Sequence, residues 1–257
     1  MKVSYYKIGK EFSRVKKSYL NRLKLIFARG DFINSKSNFL FEKKISNLLK
    51  VKYTCGVANG SDALEVGMLA LGIKKGDEVI TAANSWVSSL TSIINIGAKP
   101  ILVDVDDDFN IDCKMLKKAI TRKTKAIMPV HLNGLPANMS EIMKISKKYK
   151  IKVVEDSAQA ILSKINNKYA GTIGHIGCFS MHPTKNLGVA GDGGFIVTNN
   201  KNFFDRMKLI SNHGMDKKGY SIITGRNSRL DGIQAELILH KLKYLKKDIQ
   251  RMRKISE

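Results

Sequence analysis

Residues 174–199 read GHIGCFSMHPTKNLGVAGDGGFIVTN. The apolar run Ile176-Gly177-Cys178-Phe179 predicts a strand, and Phe195-Ile196-Val197-Thr198 predicts a second. Between them lie polar and turn-forming residues, a lone lysine at 185, and the glycines Gly188, Gly191, Gly193 and Gly194. A turn lysine ordinarily sits on a solvated face. One held between two buried strands lies at the edge of a core, where desolvation lowers the amine pKa and makes it a nucleophile towards carbonyls. The chemistry expected of Lys185 is a Schiff base.

Such a lysine needs an electron sink beside it. Upstream, Lys152-Val153-Val154-Glu155-Asp156 reads as a buried strand ending in carboxylates. Ligands of open α/β sheets bind beyond the carboxyl ends of the strands, where Asp156 falls. A pyridoxal phosphate Schiff base needs an acidic partner for its ring nitrogen, and Asp156 is the candidate. Taken alone it would read as a helix cap or a turn residue. It is not alone. Val57 to Leu64 leads into an apolar run through Leu71 that reads as a helix. Gly60 lets the backbone approach an anion, Ser61 offers a hydroxyl, and the helix start presents free N–H groups, which together make a phosphate cup. An ordinary capped helix is the plainer reading of that stretch. Three signals in a consistent order outweigh each one singly.

In those residues and their order the chain resembles the DegT/DnrJ/EryC1/StrS family, the sugar aminotransferases of fold type I. The likeness rests on ANGSDAL (58–64), GDEVI (76–80), NSWVSS (84–89), VDVD (103–106) and TKAIMPVHLNG (124–134). It continues through EDSAQA (155–160), FSMHPTKNLGVAGDGG (179–194) and GRNSRLDGIQAE (225–236). So many motifs in family order are far more specific than one glycine-rich loop.

The resemblance implies an aspartate aminotransferase-like large domain, with pyridoxal phosphate held by Lys185. It implies that Trp86 covers the pyridine face, that Gln159 bonds near the ring hydroxyl, and that Ser180 joins the phosphate cup. Asn227 would stand at a homodimer interface and reach the phosphate of the neighbouring subunit. Arg229 would meet the phosphates of a nucleotide-linked sugar or brace its own loop, and His213 is a further substrate contact. His182, beside the lysine, reads as a locally bonded turn histidine. The implied reaction moves an amino group from an amino acid, glutamate in the family, to a keto group of a nucleotide-linked sugar. Surface polysaccharide or glycan biosynthesis is the implied setting. A dehydratase branch of the family has histidine where Lys185 stands, and a truncated, non-catalytic protein of the same fold is the other alternative. Two departures appear. Family members carry a glycine near Asn34-Ser35, and they continue into a small C-terminal domain that is largely absent here.

The rest of the chain sets the frame. Its 257 residues, 43% hydrophobic, suffice for one large α/β core. Strands are expected at Glu78–Thr81, Ile101–Asp104, Ala126–Val130 and Lys152–Glu155, besides the two already given, with helices such as Ser140–Tyr149 between them. That alternation predicts a mostly parallel sheet covered on both faces. Residues 1–50 are expected to form an entry segment with an amphipathic helix, on the apolar residues Phe32, Phe39, Phe41 and Ile45-Leu48-Leu49. The cofactor-binding domain spans 51–235. A closing helix over 236–257 carries a stripe of Ala235, Ile238, Leu242, Leu245, Ile249 and Met252.

Met1 to Lys7 lacks the apolar core of a signal peptide, and no apolar run is long enough to span a bilayer. Cys55, Cys113 and Cys178 show neither disulfide nor zinc spacing, so no metal is expected and a reducing cytoplasm fits. The formal charge is +23, from 45 basic against 22 acidic residues. The lysines are spread along the whole chain without aromatic interleaving. That argues against specific nucleic-acid binding and for a diffuse field that attracts phosphorylated substrates.

Overall fold

The computed structural model describes residues 8–256, so Met1 to Lys7 lies outside it. Two helices, α1 (Ile8–Arg29) and α2 (Lys36–Leu49), precede β1 (Tyr53–Val57) and α3 (Gly60–Ala70). Alternation follows through β2 (Glu78–Ala82), α4 (Val87–Asn95), β3 (Lys99–Val103), α5 (Cys113–Lys118), β4 (Thr124–Met128), α6 (Met139–Tyr149) and β5 (Lys152–Asp156). A small hairpin of β6 (Lys164–Ile165) and β7 (Lys168–Tyr169) leads to β8 (Ile176–Ser180) and β9 (Gly194–Thr198). Three helices close the chain: α7 (Lys201–Ser211), α8 (Gly232–Lys241) and α9 (Leu245–Ser256).

Seven strands form one sheet in the order β1-β9-β8-β5-β4-β2-β3. Only β9 runs against its neighbours, so the sheet is mostly parallel as expected. The burial of β2 and β9 at every position shows why. Strands covered on both faces read as continuous apolar runs. On one face Phe41, Ile45 and Leu49 of α2 meet Phe179, Phe195 and Ile238, with the Phe179 and Phe195 rings stacked at 4.6 Å. On the other, Cys178 and Ile196 pack against Ala63 and Leu64 of α3 and Met207 of α7. Neighbouring residues of β8 thus serve opposite faces, as strand geometry requires.

The start of the chain holds more order than its sequence announces. The helix α1 has Val15 and Ile26 buried against the body, with Phe12 and Tyr19 packed alongside, but that stripe is diluted by lysines and arginines. The expected helix in the entry segment is α2, capped reciprocally by Ser35 and Asn38. Phe39, counted with its apolar residues, faces outward. Asn34 stands at φ +50° where the resemblance would put a glycine. Asparagine is among the few residues that tolerate that region, so the turn survives the exchange.

The single closing helix is a correction. The structure has two helices separated at Leu242–Tyr244. Eight of the ten residues of α8 are buried, whereas α9 buries only Leu245 and Ile249. A helix packed on most sides and one lying on the surface need different axes, and a shared apolar spacing hides the break. Position 235, the end of the expected cofactor domain, falls inside α8. Among the described residues, no helix is long and apolar enough to cross a membrane.

Candidate active site

The site begins where β5 ends. Glu155 and Asp156 are consecutive and point to opposite sides of the strand. Glu155 is fully buried and saturated. It accepts backbone N–H bonds from Gly171 at 2.8 Å, Ile173 at 2.7 Å and Gly174 at 2.5 Å, and its Oε2 lies 2.9 Å from His131 Nε2. The backbone N–H of Ala137 donates to His131 Nδ1 at 3.1 Å, so the neutral ring carries its proton on Nε2 and donates it to Glu155. Asp156 is only 6% exposed but has just two donors, the Ser89 hydroxyl at 2.8 Å and the Ala158 N–H at 3.1 Å. Burial raises its carboxyl pKa; the hydrogen bonds from Ser89 and Ala158 and the charge of Lys185 pull the other way.

The anion cup forms at the start of α3. Asn59 caps the helix, its side chain accepting the Asp62 N–H at 2.8 Å. Gly60 is required here, because a Cβ would stand 2.7 Å from Cβ of Ser180 at the end of β8. The helix start therefore lies directly against Ser180, and Ser61 follows on the same turn. Arg226 closes the outer side, bonded to Glu65 and 3.8 Å from Asp62, while Asn95 donates to Glu65 at 2.8 Å.

The turn that carries Lys185 is fastened at several points. Val189 N–H donates to the Met181 carbonyl at 2.8 Å, and Lys185 N–H to that of His182 at 2.9 Å. From α8, Gln234 accepts from Ala190 N–H at 3.1 Å and donates to the Ala190 carbonyl at 2.8 Å. Lys241, also from α8, donates to the Gly188 carbonyl at 2.6 Å. Half-burial lowers the pKa of Lys185, as its position predicts, and the Asp156 charge partly opposes that shift. His182 is bonded locally to Thr184 at 2.9 Å, as expected of a turn histidine.

These parts open on one cavity of about 780 Å³. Gly60, Ser61, Trp86, Asp156, Gln159, Ser180 and Lys185 all line it, so seven of the expected site residues converge. Trp86 is 72% exposed at its rim, which suits a ring face laid over a flat ligand rather than a core side chain. Gln159 accepts the Asn133 N–H at 2.8 Å. The remaining three lie elsewhere. Asn227 and His213 are exposed, and neither lines the cavity. Arg229 donates to Asn212 at 2.8 Å and braces its own loop. Asn59, Ser89, Arg226, Gln234 and Lys241 escaped the sequence reading. Of these only Asn59 carried a local signal, as a cap residue before a helix.

The donor set fits pyridoxal phosphate. A helix N-terminus pressed against a serine makes an anion cradle that any side chain at position 60 would fill. A buried, sparsely bonded carboxylate suits a protonated ring nitrogen, and a lysine of lowered pKa stands in the same cavity. Fold and site together define an aspartate aminotransferase-like scaffold for that cofactor.

The comparisons agree. The model of the DegT/DnrJ/EryC1/StrS aminotransferase family matches residues 14–257, and the chain belongs to that family. It is 38% identical over 99% of its length to a pleiotropic regulatory protein of Geobacillus stearothermophilus, of which it covers 68%. It is 39% identical over 88% of its length to the UDP-N-acetyl-3-dehydro-α-D-glucosamine 3-aminotransferase of Acidithiobacillus ferrooxidans, covering 62% of that protein. Among solved structures, NtdA of Bacillus subtilis with bound cofactor PMP superposes with a TM-score of 0.88 at 36% identity, over 95% of this chain and 56% of the other. The chain thus spans about two thirds of the length of its relatives, or less. The cofactor of the family is pyridoxal phosphate.

Proposed function

We propose that the protein transfers an amino group from an amino acid, glutamate by family likeness, to a keto group of a nucleotide-linked sugar. The reading rests above all on Lys185 and Asp156 lining one cavity with the cup at Gly60-Ser61. When bound, pyridoxal phosphate supplies a carbonyl for the lysine and an electron-withdrawing ring. Asp156 holds a proton on the ring nitrogen. Gly60, Ser61 and Ser180 bind the phosphate. Trp86 covers the ring face, and Gln159 orients its edge. Among the described residues Lys185 is the only primary amine lining the cavity. Its Nζ, whose pKa burial lowers, is suited to take a proton from the donor α-carbon.

The proposal includes a second copy of the chain. The cavity lining holds Asp62, Glu65, Asp156 and Asp192 against Lys185 and Arg226. Arg226 is engaged by Glu65 and stands 3.8 Å from Asp62, so the cup at Gly60, Ser61 and Ser180 gains from donors that a second copy brings. Asn227, exposed and outside the lining of its own cavity, is the residue offered to a partner subunit. Glycan or surface-polysaccharide synthesis is the setting that amino sugars of this kind serve.

The test is a visible spectrum of the purified chain with added pyridoxal phosphate, beside the Lys185→Ala variant. A band that depends on Lys185, followed by glutamate-dependent amination of a keto-sugar nucleotide detected by mass spectrometry, is the expected result. Full transaminase activity in Lys185→Ala would overturn the scheme.

A further inference from the structure

Among the described residues the Asp156 carboxylate has one side-chain donor, Ser89, and its other donor is the Ala158 N–H. Ser89 stands in the first turn of α4, fully buried, at the lining of the cofactor cavity. Its hydroxyl oxygen also lies 2.5 Å from that of Ser85. Ser85 is half-buried and lines the same cavity, directly before Trp86.

Counting protons fixes the direction of this chain. An ionised carboxylate has none to give, so Ser89 donates to Asp156 Oδ2 at 2.8 Å. That uses the one hydrogen of Ser89, and the bond between the serines is therefore donated by Ser85. Two hydroxyls point in series at one buried carboxylate, each polarising the next. A serine inside a helix ordinarily bonds back to a carbonyl of its own turn or to water. Those of α4 reach other elements instead, for Ser92, also fully buried, donates to the Ser61 carbonyl in the cup at 3.3 Å. One helix thus ties Trp86 at its start to the acid and to the cup.

We infer that Ser89, supported by Ser85, is a positioning residue of the proposed reaction: the two hydroxyls hold the Asp156 carboxylate ionised, so that the proton stays on the cofactor ring nitrogen rather than on the carboxyl. The inference rests on the aminotransferase reading and adds the groups that govern its acid. Burial pushes the Asp156 carboxyl up, and the Ser89 bond is the foremost influence holding it down. The other titratable groups facing Asp156 are Lys185, His131 and Cys178, while Glu155 points to the other side of β5. Lys185 acts by charge alone, and that help goes when its amine is neutral. The His131 ring spends its proton on Glu155. Burial holds the Cys178 thiol well up, so it stays neutral, and it donates to the Ala63 carbonyl. The Ala158 N–H belongs to the backbone two residues on. Ser89 is therefore the side chain through which the acid can be tuned without touching Asp156 or Lys185.

The experiment is a pH titration of the Asp156 carboxyl carbon by ¹³C NMR in cofactor-free protein, with the resonance identified by its loss in Asp156→Asn. Ser89→Ala should move the midpoint up, because the ionised form loses its one side-chain donor. Ser85→Ala, at a half-buried position, should move it the same way by less. Ser92→Ala removes an equally buried hydroxyl from the same helix and should leave the midpoint where it is. In protein loaded with ¹⁵N-labelled pyridoxal phosphate, Ser89→Ala should also shift the ring-nitrogen resonance towards that of an unprotonated pyridine. A midpoint unmoved in Ser89→Ala, or moved as far by Ser92→Ala, overturns the inference, since the second result is that of a serine that merely braces the helix. Should Ser89→Ala fail to fold, Ser85→Ala decides alone. The Lys185-dependent band is recorded first. A band with an unmoved midpoint removes only the role of the serines, and the absence of a band removes the aminotransferase reading itself.

Discussion

Glu155 and Asp156 are neighbours on one strand with the same functional group, yet their surroundings could hardly differ more. Glu155 has four donors and binds the Gly171–Gly174 backbone and His131 to the sheet. Asp156 has two donors, and burial holds its pKa up. One carboxylate has been spent on architecture. The other has been left short of partners, and a group short of partners is one that can take up a ligand. The alternation of a strand puts the two roles one residue apart without mixing them.

Substitution separates the pair. Glu155→Ala should have the largest effect, since it strands three backbone donors and a histidine in the interior. A loss of about 4 kcal/mol or more is expected in urea denaturation. Cooperative unfolding within about 1 kcal/mol of the parent would show the clamp to be dispensable. Lys185→Ala comes next in functional effect and far lower in structural effect. It should abolish the cofactor band while changing stability by no more than about 0.5 kcal/mol, because a half-exposed amine contributes little to the fold.

Asp156→Asn should move stability the opposite way from Glu155→Ala. The folded-state pKa of Asp156 lies above its unfolded value, so the ionised form costs stability at neutral pH and the cost vanishes as pH falls below the unfolded value of 3.8. The variant, free of cofactor, should therefore be more stable at pH 7 by about 1 kcal/mol and no more stable at pH 3. A pH-independent gain would break the comparison. Pyridoxal phosphate should at the same time bind the variant more weakly. Gln234→Ala, which loosens the Lys185 turn at Ala190, should have the smallest effect on the cofactor site. It should cost about 1 kcal/mol and weaken cofactor binding a few-fold, read from the same band.

The sheet and the heart of the site were legible in the sequence because both are written locally. Buried strands show as apolar runs, and ligand groups cluster at their carboxyl ends, so Asp156 and Lys185 could be read from the residues, whereas Ser180 came only with the family resemblance. The fastenings were not legible. Gln234 and Lys241 hold the Lys185 turn from about fifty residues away, and Ser89 reaches Asp156 from α4. No local pattern marks a side chain whose partner is set by tertiary packing. The break between α8 and α9 was hidden for a related reason. A stripe spaced by threes and fours runs on through both helices, and what separates them is burial, which spacing does not report. The helix α1 was missed because a narrow stripe lies within a strongly basic segment. His213, Asn227 and Arg229 sit on a loop outside the cavity, where no local pattern separates a ligand contact from a turn residue.

Gly177, on β8, bears on how the family can drift. A Cβ there would stand 1.9 Å from the Gly171 carbonyl oxygen, and one at Gly171 would stand 2.4 Å from the Phe179 ring. Every single-base change out of a glycine codon either adds a Cβ or stops translation, so neither position has a tolerated neighbour in sequence space. Inherited variation must collect instead at the open rim, among residues such as Trp86, Asn133 and Asn186. New specificities can then arise over an unchanged scaffold, and glycines at these two positions are expected to persist in lineages that share no substrate.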